Sequence, residues 1–121
     1  MKLVLLDSIS AVSSDTRDQV VVSGSHGGVS AAHLALAHPP RLVFFNDAGI
    51  GLDEAGVAGL AVLQAAGVAA CAVSHLSARI GCAESTLQSG LVTRCNALAD
   101  AIGVRAGMSV QRWLLDANLS P

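Results

Sequence analysis

The stretch Val20-Val21-Val22-Ser23-Gly24-Ser25-His26-Gly27-Gly28 decides the fold. Three β-branched residues run into a turn of small residues, and the segment from Val29 to His38, rich in Ala and Leu, follows with Val29, Ala32, His33 and Leu36 at helical spacing. That order predicts a strand from Val20 to Ser23, a tight loop and a helix stopped by Pro39-Pro40. Both faces of the strand are apolar, which suits a central strand covered on two sides.

The same unit recurs on either side. Leu3-Val4-Leu5-Leu6 predicts a first strand ending at Asp7-Ser8, and residues 7–19 predict an exposed loop with a short helical turn. Arg41-Leu42-Val43-Phe44-Phe45 predicts a third strand that ends in Asn46-Asp47-Ala48-Gly49-Ile50-Gly51. Asp53 has the character of an N-cap, Leu52 and Val57 are spaced as a hydrophobic staple, and the helix they open runs to Ala66, with Gly67 closing it. Val68 to Val73 predicts a fourth strand, followed by Ser74-His75-Leu76-Ser77-Ala78-Arg79-Ile80-Gly81-Cys82. A long amphipathic helix is expected from about Glu84 to Ala101, with Leu87, Leu91, Cys95, Leu98 and Ile102 along one stripe. A last short helix starts at the cap Ser109 and ends near Asn118. Strands alternating with helices through short loops specify an α/β fold: one domain over residues 1–121, with an open, mostly parallel four-stranded sheet of Rossmann-like βαβ units covered by helices.

Composition narrows the partners. Hydrophobic residues make up 52% and charged residues 13% of the 121 residues, against roughly 25% charged in an ordinary globular domain. So apolar a surface predicts association, either as a homo-oligomer or against a different subunit. The net charge of −2, with seven Lys and Arg scattered along the chain, argues against nucleic acid as a partner, because phosphate backbones need a clustered basic face. Aromatics at 2% remove the stacking platform of single-strand binders. No apolar run reaches the roughly 18 residues of a membrane span, and the N-terminus is too short and too soon acidic for a signal peptide, so no membrane role and a cytoplasmic location are expected. Cys71, Cys82 and Cys95 are odd in number and widely spaced, which suggests neither a disulfide framework nor a zinc site. Cys71 and Cys95 are expected in the core.

In an open parallel sheet, ligands bind beyond the carboxyl ends of the strands. Those ends carry nearly all the reactive side chains of this apolar chain. His26 and His75 each follow a predicted strand, and an imidazole can move a proton in either direction near pH 7. Asp47 is placed to orient one of them. Gly24, Gly27 and Gly28 lead into a helix and offer backbone N–H groups to an anion, though without the spacing of a nucleotide loop. Asn46, Gly49, Ser74 and Ser77 complete the strand-end loops, and Arg79 is their one guanidinium, suited to a carboxylate or phosphate. His33 and His38 fall on or after a helix and are expected to be structural. No short-spaced ligand pair supports a metal, and no cofactor is implied.

A second arrangement uses Ser25. Ser25, Asp47 and His75 stand in the order nucleophile, acid, base, which resembles the serine hydrolases on α/β-hydrolase sheets. The pattern departs from them at Ser23, where the nucleophile turn carries glycine, and in a chain about half the length that fold needs. The expected function is therefore a small α/β enzyme acting by acid–base chemistry on a small anionic metabolite, as a hydrolase, lyase or isomerase. The alternative is a non-catalytic ligand-binding or scaffolding subunit.

Overall fold

Residues 1–120 are described by a computed structural model. Five strands form one sheet in the order β1-β2-β3-β4-β5: β1 (Leu3–Leu6), β2 (Val20–His26), β3 (Leu42–Asn46), β4 (Ala69–Val73) and β5 (Val92–Cys95). The first four are parallel and β5 runs antiparallel to β4. The expected α/β class and mostly parallel sheet are present. The four-stranded sheet is corrected to five, and the strand order advances without the reversal of a doubly wound sheet.

That order dictates the layers. When parallel strands are added in one direction, right-handed crossovers put every connection on the same face. The 3-10 turn Ile9–Ala11, helix α1 (Val29–Ala35) and helix α2 (Gly59–Ala65) accordingly pack together, burying Ile9, Ala32, Ala35, Leu60 and Leu63 on Val21, Val43, Phe45, Ala70 and Ala72. The opposite face, with Val20, Val22, Leu42, Phe44, Cys71 and Val73, has no crossover to cover it. It is covered by everything after β4: α3 (Ala83–Ser89), α4 (Ala97–Ala101) and α5 (Val110–Asp116), through Leu87, Ala99, Val110, Trp113 and Leu114. Trp113 meets Phe44 edge-on at 6.2 Å between ring centroids.

The helix expected over residues 84–101 is instead α3, the edge strand β5 and α4. The break comes at Gly90, which is extended and closely surrounded: a Cβ there would stand 2.5 Å from Thr86 O of α3 itself, 3.0 Å from Val73 Cγ1 of β4 and 3.2 Å from Val110 Cγ2 of α5. Beyond the break, Leu91 to Cys95 extends to pair with β4, and Asn96 caps α4 by accepting from Ala99 N at 3.0 Å. The helix expected from Asp53 to Ala66 is also divided. Residues 52–57 form a 3-10 turn with Asp53 and Glu54 left-handed, and Leu52, expected to staple against Val57, is 85% exposed. β2 continues past Ser23 to His26, so Gly24, Ser25 and His26 are strand and only Gly27-Gly28 is loop. The first, third and fourth strands and the Ser109 cap, which accepts from Arg112 N at 3.0 Å, are as expected.

Asn96 ties both layers together. Its Oδ1 also accepts from Ala70 N at 3.1 Å, and its Nδ2 donates to Leu60 O at 3.2 Å and Val68 O at 3.0 Å, all buried. Asn96→Ala would orphan four backbone groups, so we expect a loss of about 3 kcal/mol of stability, read as a drop in the urea midpoint at unchanged m-value. A loss below about 1 kcal/mol would mean that water takes over these bonds.

Candidate functional site

Asp47 is the first residue beyond β3, and the chain turns sharply around its carboxylate. Oδ1 accepts from Gly49 N at 2.8 Å and from His75 N at 3.0 Å, while the Thr93 hydroxyl donates to Oδ2 at 2.8 Å. His75 Nδ1 stands 3.4 Å from the same Oδ1. The Asp47 side chain is 5% exposed and that of His75 49%, so a sunken carboxylate backs an imidazole that faces solvent. Burial alone would push the Asp47 carboxyl up; the Gly49 N–H, the Thr93 hydroxyl, the His75 N–H and the nearby imidazole outweigh it and hold the carboxyl below its ordinary value.

Thr93 reaches Asp47 because β5 bulges. Ala72 pairs with Arg94 and Val73 with Val92, leaving Thr93 as an extra residue opposite one position of β4. The bulge sends Thr93 to Asp47, and Arg94 reaches Glu54 on the neighbouring loop at 3.8 Å. That loop is strained: Ala48, Ile50, Asp53 and Glu54 all have positive φ, as do Gly49 and Gly51. For Ile50, at φ 67°, the conformation is costly, since a β-branched side chain crowds the backbone there. Strain held in place by surrounding structure is a mark of functional loops. Gly49 lies against the imidazole, where an added Cβ would be 3.4 Å from His75 Cε1.

The loop from Ser74 to Cys82 crosses the strand ends. Asn46 is buried beneath it, donating to Ala78 O at 3.0 Å and accepting from Ala48 N at 2.8 Å. Ser74 Oγ accepts from Leu76 N at 3.1 Å, and Ser77 Oγ donates to Ser74 O at 2.8 Å and accepts from Leu91 N at 2.9 Å. These hydroxyls hold the loop rather than face outward. An open groove of about 840 Å³ runs from His75 along this loop to α3, lined among others by Arg79, Cys82, Ser85 and Gln88. Arg79 is exposed and, among the described residues, has no carboxylate within 4.0 Å.

The polar groups at the end of β2, which pairs with Asn46 beside Asp47, are taken up by other partners. Ser25 Oγ accepts from Ile9 N at 2.9 Å, which commits it to the turn after β1. His26 is exposed, and its Nδ1 accepts from Gly28 N at 3.1 Å. Gly27 N donates to Asn46 O at 3.1 Å, so of the three glycine N–H groups expected to cradle an anion, those of Gly27 and Gly28 bind the protein itself. Gly24 is buried where a Cβ would fall 2.4 Å from Cys82 N, and Gly81 N donates to Gly24 O at 2.7 Å, sealing this part of the strand edge. Of the expected residues, the structure joins Asp47 to His75, with Gly49 against the ring and Arg79 along the groove. Thr93, which holds Asp47, lies within the helix expected over residues 84–101 and so is absent from the expected site; Gly90 followed by the β-branched Val92-Thr93 is the signal in the sequence that points to a strand there.

Among the described residues no group of three His, Cys, Asp or Glu side chains is placed to hold a metal, and no helix is long and apolar enough to cross a membrane. Comparison with protein-family models, curated proteins and solved structures found no significant match.

Because its folded carboxyl is lowered, Asp47 adds stability that is present above the ordinary carboxyl value near 3.8 and is lost as pH falls from there through the folded value. Thr93→Val should cost about 2 kcal/mol at pH 7, as expected for a hydrogen bond to a charged acceptor, and the difference from the parent should shrink once Asp47 is protonated. Chemical denaturation of both chains between pH 7 and pH 2.5 checks this; a pH-independent difference would assign Thr93 to packing alone.

Proposed function

We propose that this chain is a small α/β enzyme that transfers a proton on a small anionic metabolite, a carboxylate or phosphate, in a hydrolysis, elimination or isomerisation. His75 is the acid–base group and Asp47 its positioning residue. The observation that carries this reading is the pairing of a buried, hydrogen-bonded carboxylate with a half-exposed imidazole. His75 Nδ1 stands 3.4 Å from Asp47 Oδ1, close enough for a small rotation of the ring to aim Nδ1–H at the carboxylate and leave Nε2 to accept a substrate proton and return it. The 3.4 Å separation is long for a hydrogen bond, as catalytic contacts without substrate commonly are. Arg79, without a carboxylate partner among the described residues and on the same groove, supplies a two-point contact for the anion. His26, at the end of β2, is the second imidazole of the same strand edge, and Ser25 is left as a positioning group for the β1 turn rather than a nucleophile.

A second reading, a non-catalytic ligand-binding or scaffolding subunit that includes a homo-oligomer, is favoured by Leu52 and Leu76, which are 85% and 86% exposed in the loops flanking His75. Apolar side chains so placed serve either to exclude water around a bound ligand or to meet a partner.

The test is a panel of small carboxylates and phosphates, followed by the His75 ring proton resonances and by turnover. A bound anion should shift the His75 resonances in the parent, and Arg79→Gln should weaken that binding by about tenfold, as one lost charged contact implies. His75→Asn should lower turnover by roughly 10²- to 10⁴-fold while the melting temperature moves by only a few degrees, since the ring is half exposed. Turnover that survives His75→Asn undiminished would sink the acid–base reading. Silence across the panel, with a larger assembly in solution that dissociates on Leu76→Glu, would put the second reading in its place.

A further inference from the structure

The antiparallel pairing of β5 brings together two thiols that are far apart in sequence. Cys71 on β4 is the direct cross-strand partner of Cys95 on β5. Asn96 N donates to Ala70 O, so positions 70 and 96 are a hydrogen-bonded pair, and by alternation Cys71 and Cys95 occupy the non-hydrogen-bonded position. Cα atoms at such positions lie roughly 4.5 Å apart, inside the range of about 4.4–6.8 Å that a disulfide spans. Both side chains project to the face covered by α4 and α5.

We propose that Cys71 and Cys95 are a dithiol pair that closes to an intrachain disulfide on exposure to a low-molecular-weight disulfide such as oxidised glutathione. The Cys95 thiol, half-buried at the sheet edge, loses its proton and attacks the small disulfide, forming a mixed disulfide and releasing one glutathione thiolate. Cys71, deprotonated in turn, attacks the Cys95 sulfur, the protein disulfide forms and the second glutathione leaves. Two protein thiols are oxidised and one glutathione disulfide is reduced to two thiols, with the protons passing to the leaving groups.

In the reduced chain the sulfurs face opposite ways, Cys71 Sγ towards Val43 O at 3.7 Å and Cys95 Sγ towards Val104 O at 3.5 Å. Closure needs a rotation about χ1 in each and a small approach of β5. A four-residue edge strand with a bulge beside the pair is free to make that approach. Burial pushes both thiols up, that of Cys71 well up; Cys95 adds to the shift at Cys71, and Asp100 to that at Cys95 against an opposing pull from Arg105, so closure is slow compared with an exposed thiol. Cys95 stands two residues after Thr93, so the bond pins to β4 the strand whose hydroxyl holds Asp47. The inference is independent of the acid–base reading.

The experiment uses the full chain carrying Cys82→Ser, which removes the partly exposed third thiol. After incubation with excess oxidised glutathione under native conditions, the intact mass should fall by two hydrogens with the chain still monomeric on a non-reducing gel. Trypsin, cutting after Arg41, Arg79, Arg94 and Arg105, leaves Cys71 and Cys95 on separate peptides, which should then travel as one linked species. The oxidised form should melt several degrees higher, and the amides of β5 should exchange more slowly. Cys71→Ala should stop at the glutathione adduct on Cys95; if that chain does not fold, Cys95→Ser, which should stay fully reduced, replaces it. A folded Cys82→Ser chain that keeps its reduced mass, or that accumulates a Cys95 adduct which never resolves, overturns the proposal.

Discussion

The organisation of this protein follows from the direction in which its parallel strands are added. Each of β2, β3 and β4 is laid on the same side of its predecessor, and the right-handed crossover rule then puts all three connections on one face. The other face presents Val20, Val22, Leu42, Phe44, Cys71 and Val73 with nothing yet to bury them. Exposing so many apolar side chains is incompatible with a stable fold. The last third of the chain is therefore obliged to cross the strand ends after β4 and lie down over this surface.

The site is a product of that crossing. The segment from Ser74 leaves β4 at the carboxyl edge, passes over the ends of β3 and β2, and starts α3 against Gly24, whose missing side chain leaves room for the backbone of Gly81 and Cys82. His75 is caught at the start of this path, beside the residue that ends β3. The return to the sheet then runs antiparallel, and the bulge in β5 sends the Thr93 hydroxyl to Asp47. Three elements far apart in sequence meet on one carboxylate, which is satisfied on both oxygens and so stays charged although it is buried.

The loop after Asp47 bears the conformational cost. Its non-glycine residues with positive φ are held there by close backbone packing: a Cβ on Gly56 would lie 2.2 Å from Asp47 O, and one on Gly59 would lie 2.3 Å from Gly28 O. Those two glycines are what allow the turn and α2 to fold down onto the strand ends. The continuous helix expected from Asp53 is interrupted by the left-handed backbone of Asp53 and Glu54, in spite of a helical pattern of apolar residues.

By itself, the sequence determined the α/β class, the positions of four strands, the cap of the last helix and the concentration of Asp47, His75 and Arg79 on one edge, because these depend on local periodicity, turn residues and the alternation of strand and helix. The tertiary structure alone decided that residues 84–101 are divided by a strand, since Leu87, Leu91, Cys95 and Leu98 fit a helical stripe equally well, and only the open edge of β4 and the packing of α5 on Gly90 favour the extended form. It also decided that Ser25 and Gly27 bond to backbone groups and Gly28 to the His26 ring rather than face a ligand, and that Thr93 completes the carboxylate site. The physical reason is common to these cases: hydrogen-bond partners and bulge register are set by which strands become neighbours, and no local pattern along the chain encodes that.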